Sequence, residues 1–131
     1  MIIDASAIIA VLRGEEDAPR FAYGLARRSE PRRLSAVNYV EAAVVIDGAR
    51  DPIASRRFDD FIAKAGITIE PVTAEQAQIA RAAYRDFGKG SGHRARLNFG
   101  DCFAYALAKA TGERLLFKGD DFGHTDVEPH N

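Results

Sequence analysis

A single cysteine, Cys102, stands among the 131 residues, so no internal disulfide is available, and nothing completes a zinc ribbon or a Cys-x-x-Cys redox pair. Excess charge of one sign is also missing: 18 Lys and Arg face 19 Asp and Glu, a formal net charge of −1. This argues against a protein that holds nucleic acid through overall basicity, although it leaves room for a local basic patch. No apolar run is long enough to cross a membrane, since the stretch from Ala5 to Leu12 stops at Arg13. A signal peptide is not expected either, because Asp4 falls where such a leader carries positive charge, and the expected location is the cytosol. The tail from Asp126 to Asn131 carries no recognisable lipidation or retention signal. What is present is ordinary for a soluble globule, with 47% hydrophobic and 28% charged residues, and the length suits one domain over residues 1–131.

Periodicity supplies the elements. Met1 to Ile3 is a short apolar strand ending at Asp4, followed by an Ala- and Ile-rich helix without glycine until Gly14. From Glu15, the residues Phe21, Ala22, Leu25 and Ala26 recur at helical spacing until a turn at Ser29-Glu30-Pro31. Arg33 to Ser35 reads as a brief strand, and Ser35 as the N-cap of a helix running to about Gly48. A further helix from Pro52 to Ala65 closes at Gly66. Ile67 to Glu70 alternates as a strand, and Thr73 with Gln76 predicts a capping box for the helix ending near Phe87-Gly88. After a Gly- and Arg-rich loop from Lys89 to Leu97, Asn98 opens a helix to Ala110, and Leu115 to Phe117 forms a last buried strand. Strands alternating with helices imply an α/β fold with a mostly parallel sheet covered on both faces, its site beyond the carboxyl ends of the strands.

Acidic residues gather at those ends. Asp4 follows an apolar strand and serves either as an N-cap or as a carboxylate with restricted access to water, with Ser6 placed to orient it. Glu41 shares a helix face with Val37, Val44 and Val45, a face expected to be buried, so it needs either an arginine partner or a ligand. Asn38, one turn earlier, is a cap or a polar member of the same site. Asp101 suits the N-terminus of the helix opened by Asn98, and Asp120 with Asp121 suits a solvated turn. Taken together, carboxylates converging at one sheet edge repel each other unless protonated or neutralised by a hard divalent cation. An all-oxygen donor set points to Mg2+, with Mn2+ possible, and not to zinc; His93, His124 and His130 lie in loop or tail positions and read as surface residues.

These residues, in order, resemble the PIN-domain ribonuclease family, and within it the VapC toxins of type II toxin–antitoxin systems. The resemblance is carried by Ile2-Ile3-Asp4-Ala5-Ser6-Ala7, Tyr39-Val40-Glu41, Leu97-Asn98-Phe99-Gly100-Asp101-Cys102 and Leu115-Leu116-Phe117-Lys118-Gly119-Asp120-Asp121-Phe122, and it spans essentially the whole chain. It implies a PIN-like α/β/α sandwich, a magnesium-dependent endoribonuclease activity on single-stranded RNA and a VapB-type antitoxin that blocks it, with a homodimer expected on the same footing. It also implies that Asp4, Glu41 and Asp101 are catalytic metal-site acids, with the fourth acid coming from the Gly-x-Asp-Phe turn. Asp121 directly precedes Phe122 and is the preferred fourth acid, with Asp120 in the variable position. Asp4 and Asp101 are then expected to hold the cation directly, with Glu41 and Asp121 on a second ion or its waters.

Substrate contacts have to offset the repulsion between an acidic pocket and phosphate. The run Arg81, Arg85, Lys89, His93, Arg94 and Arg96, interrupted among acids only by Asp86, leads to the Asp101 block and either tracks an RNA backbone or is a solvated surface. Tyr84 and Phe87 are expected in the core and not as base-stacking residues. The helix from Arg20 to Arg28 and that around Arg56, Arg57, Phe58 and Phe61 carry apolar and arginine residues suited to an antitoxin groove or to core packing. A receiver-like, non-catalytic magnesium-binding module is the alternative, disfavoured because no acid pair stands near the first strand; a purely nucleic-acid-binding domain is disfavoured by the net charge. Removing the five candidate acids from the 19 leaves 14 against 18 basic residues, so near-neutrality is compatible with an acidic pocket in a mildly basic surface.

Overall fold

The computed structural model describes residues 1–26 and 29–130. The strands are β1 (Ile2–Ile3), β2 (Arg32–Ser35), β3 (Ile67–Glu70) and β4 (Leu115–Leu116). The helices are α1 (Ala5–Leu12), α2 (Ala18–Ala26), α3 (Ala36–Asp47), α4 (Pro52–Lys64), α5 (Ala74–Phe87) and α6 (Phe99–Thr111), with a 3-10 turn at Asp121–His124. Every strand pairing is parallel, in the order β3-β2-β1-β4. The chain winds outward from β1 to β3 and then returns to the other side of β1 with β4. Strand order therefore reverses at β1, and the crevice beyond the carboxyl ends of β1 and β4 is where an open parallel sheet accommodates a ligand.

Alternation along two very short strands divides the interior into two. Ile2 pairs with Leu115 and Ile3 with Leu116. Ile2 and Leu115 face a cluster built with α5 and α6, including Ala80, Leu97, Cys102, Leu107 and Phe122. Ile3 and Leu116 face the opposite cluster, with Ile8, Phe21, Leu34, Ala42 and Phe58 from α1 to α4. The result is the expected three-layered sandwich. No helix among the described residues is long and apolar enough to cross a membrane.

Local sequence explains most boundaries. Ser35 caps α3 by accepting the Val37 amide, Thr73 caps α5 by accepting the Gln76 amide, and Asn98 with Asp101 forms a reciprocal capping box on α6. Three expectations need adjusting. The second helix starts at Ala18 and not at Glu15, because Glu15 and Asp17 instead hold Lys118 at 2.7 and 3.2 Å. The last strand stops at Leu116, and Phe117 turns aside to pack on Phe122 with ring centroids 5.1 Å apart. His130 is not a surface residue: the tail pairs with β4 through Leu115 and Pro129, which buries the imidazole and brings its Nε2 to 2.8 Å from Glu30 Oε1. This tail also covers the outer edge of β4.

Phe21 is fully buried in the α1–α4 cluster. Phe21→Ala is expected to lower unfolding stability by about 3–5 kcal/mol, measured by urea denaturation.

Candidate metal and catalytic site

Asp4 unites two roles that local sequence leaves as alternatives. It leaves β1 with its amide donating to Leu116 O at 2.9 Å, and its Oδ2 caps α1 by accepting the Ser6 amide at 3.0 Å. The Ser6 hydroxyl donates to the same oxygen at 2.5 Å and itself accepts the Lys118 amide at 3.0 Å, tying β1, α1 and the turn after β4 together. The other oxygen, Oδ1, is buried with no hydrogen-bond partner. The residue is 3% exposed, and burial, outweighing the Ser6 hydrogen bonds, pushes the carboxyl above its ordinary pKa.

Asn38 is the second fixed point: the helix cap falls to Ser35, and Asn38 bonds the candidate acid Glu41 instead. Its side chain is fully buried, with Nδ2 donating to Gly100 O at 2.9 Å and to Glu41 Oε1 at 3.2 Å, while Oδ1 has no partner. This corrects the expected burial of α3. The seam that packs inward is Asn38, Ala42 and Ile46, whereas Val44 is 64% exposed and Glu41 lies half-buried beside the seam. Asn38, rather than an arginine, donates to Glu41. Burial raises the Glu41 pKa first, and the Asp4 charge raises it further.

Asp101 comes in from the other face of the sheet. Its Oδ2 accepts the Asn98 amide at 3.0 Å while Asn98 Oδ1 accepts the Asp101 amide at 2.9 Å, so capping and site placement coexist. Its pKa is pushed up to about 7, chiefly by burial and then by the charges of Asp4, Glu41 and Asp121. The Asp121 charge raises the Asp101 pKa, and Asp120 and Asp121 both lie exposed where the 3-10 turn begins. The acids are near enough to perturb one another, although among the described residues no three or more His, Cys, Asp or Glu side chains already converge within ligating range.

Gly100 adjoins the candidate acid Glu41, a placement that residue-type reasoning passes over. A Cβ there would stand 1.8 Å from Glu41 Oε2, so the absent side chain is what admits Glu41 against the first turn of α6. The available signal is a glycine inside the first turn of a capped helix, where alanine is the better helix former.

The basic residues fall outside this pocket. Arg85, Lys89, Arg94 and Arg96 are all exposed, Arg85 with its Nε 3.1 Å from Asp86 Oδ1. The loop that carries the last three is pinned at its base, where Lys89 N donates to Leu97 O and Leu97 N donates to Phe87 O. His93 is half-buried, its ring edge-on to Phe87 and its Nδ1 accepting the Ala95 amide at 3.0 Å, which corrects its reading as a surface residue. His124 is exposed as expected. Phe87 packs on Tyr105, but Tyr84 is 50% exposed and so is not a core residue. Of the phenylalanines offered for a partner groove, Phe21 and Phe58 are core, while Phe61 lines a depression of about 290 Å³ with Leu25 and Arg32 between α2 and α4. Arg28, named in the same expectation, lies outside the described residues.

A buried carboxylate lies at the point where strand order reverses, and acids from three further elements stand within electrostatic reach of it or of one another. Residues 1–128 match the PIN domain. Ribonuclease VapC28 of Mycobacterium tuberculosis is 57% identical over 128 residues, covering 98% of this chain and 96% of that protein. The chain belongs to the PIN-domain family and, at this whole-length identity, to its VapC ribonucleases. Among solved structures, Mycobacterium tuberculosis VapC20, described as a sarcin-ricin loop cleaving toxin, superposes with a TM-score of 0.77 at 15% identity, covering 99% of this chain and 98% of that one. A toxin–antitoxin complex from Klebsiella pneumoniae gives 0.68 at 18% identity, with 99% and 98% covered. At these identities both speak for the fold alone.

Two outcomes are expected from the geometry. Gly100→Ala should fold, with a stability change within about 3 kcal/mol by urea denaturation, yet lose ribonuclease activity because Glu41 is displaced. In chelator, the folded chain holds an extra proton on Asp101 between the unfolded carboxyl pKa of about 3.9 and the folded value of about 7. Stability then falls as pH rises through that window, and the raised Asp4 and Glu41 act in the same direction. The Tm by calorimetry in chelator should therefore be a few degrees higher at pH 5.5 than at pH 7.5, and Asp101→Asn should reduce the difference.

Proposed function

We propose that this chain is a cytosolic, divalent-cation-dependent endoribonuclease, acting as one PIN domain over residues 1–131 and as the toxin of a type II toxin–antitoxin pair. The observation that carries the reading is the unpartnered, buried Asp4 Oδ1 beside Glu41, Asp101 and Asp121. An all-oxygen donor set with an orphaned carboxylate oxygen fits a hard cation, Mg2+ first and Mn2+ second. Asp4 and Asp101 would hold it, with Glu41 and Asp121 completing the acidic ring. Such an ion supplies Lewis acidity and neutralises charge developing on a phosphodiester.

The chain's own residues prepare that chemistry. Ser6 uses up Asp4 Oδ2 and leaves Oδ1 as the unpartnered oxygen. Asn38 holds Glu41 Oε1 against the first turn of α6, and the capping box holds Asp101 at the helix start. Asp120, from the same turn as Asp121, is the alternative fourth acid. Arg85, Lys89, Arg94 and Arg96 provide exposed cations for the RNA backbone, and their arginine-rich composition suits bidentate phosphate contact. In this reading a VapB-type antitoxin restrains the enzyme and a homodimer is its working form; the relationship to the VapC ribonucleases is what supports both. The receiver-like module loses its ground with the same relationship.

Purified protein incubated with total cellular RNA and Mg2+ should cleave it, and chelator should abolish cleavage. Asp4→Asn and Asp101→Asn should each lower the rate by at least about tenfold to a hundredfold. Cleavage that persists in chelator, or in both variants, contradicts the proposal.

A further inference from the structure

Lys118 has its backbone at the acidic pocket and its ammonium elsewhere. The Lys118 amide donates to the Ser6 hydroxyl at 3.0 Å, and that hydroxyl donates to Asp4 Oδ2 at 2.5 Å, so two hydrogen bonds separate the lysine backbone from the buried carboxylate. Asp120 and Asp121 follow it by two and three positions. The four-carbon stem of a lysine is flexible and long enough to cross such a gap. An ammonium swung inward would meet an unpartnered Asp4 oxygen and the charges of Glu41, Asp101 and Asp121, for which it is a ready counter-ion.

The connection between α1 and α2 holds the ammonium instead. Its Nζ donates to Glu15 Oε1 at 2.7 Å and lies 3.2 Å from Asp17 Oδ1. That Asp17 oxygen is buried and accepts no hydrogen bond, so the ammonium is what balances it. Both acids sit on fixed backbone: the Glu15 amide donates to Ala10 O, and Asp17 O accepts the Arg20 and Phe21 amides where α2 begins. Among the described residues, no lysine or arginine forms an ion pair with Asp4, Glu41, Asp101 or Asp121. Stability does not account for the arrangement, because ion pairs with side chains about a third exposed contribute little to it. Nor does the turn after β4 depend on it, since that turn is anchored by the Lys118 amide and by the packing of Phe117 on Phe122.

We infer that Glu15 and Asp17 are positioning residues that keep the Lys118 ammonium out of the acidic pocket, which leaves the pocket open to a divalent cation. The inference rests on the cation-site reading and extends it to residues outside the pocket. One lysine against two carboxylates leaves the trio net negative, so the rim it forms does not repel an entering cation. A released lysine, in contrast, competes with the cation for the same carboxylates.

The test is a calorimetric titration of Mn2+ into the wild type, Lys118→Met, the double variant Glu15→Gln with Asp17→Asn, and the triple variant that combines all three. The double variant is expected to bind Mn2+ about tenfold more weakly. Lys118→Met alone should stay within about threefold of the wild type. The triple variant should return to the wild-type affinity, a rescue that mere structural damage to the α1–α2 connection does not allow. An unchanged affinity in the double variant, or a triple variant as weak as the double, overturns the inference while leaving the cation site in place. So does a Lys118→Met variant as weak as the double, which makes the lysine a tether for the turn carrying Asp121. Should the double variant misfold by circular dichroism, Glu15→Gln with and without Lys118→Met carries the same comparison, with an expected loss of about threefold and its rescue. A wild type that binds no Mn2+ removes the cation-site reading and this inference with it.

Discussion

Asp4 loses its water when the sheet closes around it, and the rest of the site is arranged around that loss. The sheet has to put a residue at the carboxyl end of an inner strand, where β1 runs between β2 and β4 and strand order reverses. With a carboxylate there, 3% exposed and with one oxygen unpartnered, the fold carries a cost that hydrogen bonds from Ser6 offset only on one side. Placing Glu41, Asp101 and Asp121 within electrostatic reach deepens the cost, and the cation proposed for the site would offset it.

The same constraint gives two polar side chains beside Asp4, Asn38 and Ser6, their bridging positions. Asn38, fully buried, spans α3 and α6 through Glu41 and the Gly100 carbonyl, across the sheet layer that separates the two apolar clusters. Ser6 links α1 to the turn after β4 through the Lys118 amide, and Lys118 then pairs with Glu15 and Asp17 ahead of α2. Each acid is thereby held by an element with its own packing, so the acids do not depend on one another for position. That independence is what permits like charges to be kept close.

Much of this was legible from residue types and spacing. The apolar run ended by Asp4, the Asn98 cap with an acid three positions later, and the Gly-x-Asp-Phe turn all fell where the fold places them, because each is a local signal that tertiary packing had no reason to override. Glu41 was found for a partly mistaken reason: apolar spacing made Val44 look buried, but the seam of α3 runs through Asn38, Ala42 and Ile46, and only packing against α6 decides that. His130 and Tyr84 were misread for the same kind of cause. A tail that folds back on β4 buries the first, and a depression between two helices exposes the second, and neither event leaves a trace in the chain's periodicity. Gly100 is the hardest case, since its contribution is the side chain it does not have.

The central claim is that these four acids form one cation site and not a set of separate helix caps and turn residues. Isothermal titration calorimetry with Mn2+ on the wild type, Asp4→Asn and Asp101→Asn tests it without reference to RNA. The account predicts saturable binding to the wild type and an affinity reduced about tenfold or more in each variant, although the two positions come from opposite layers of the fold. Binding of equal strength in all three, or none to the wild type, would contradict it.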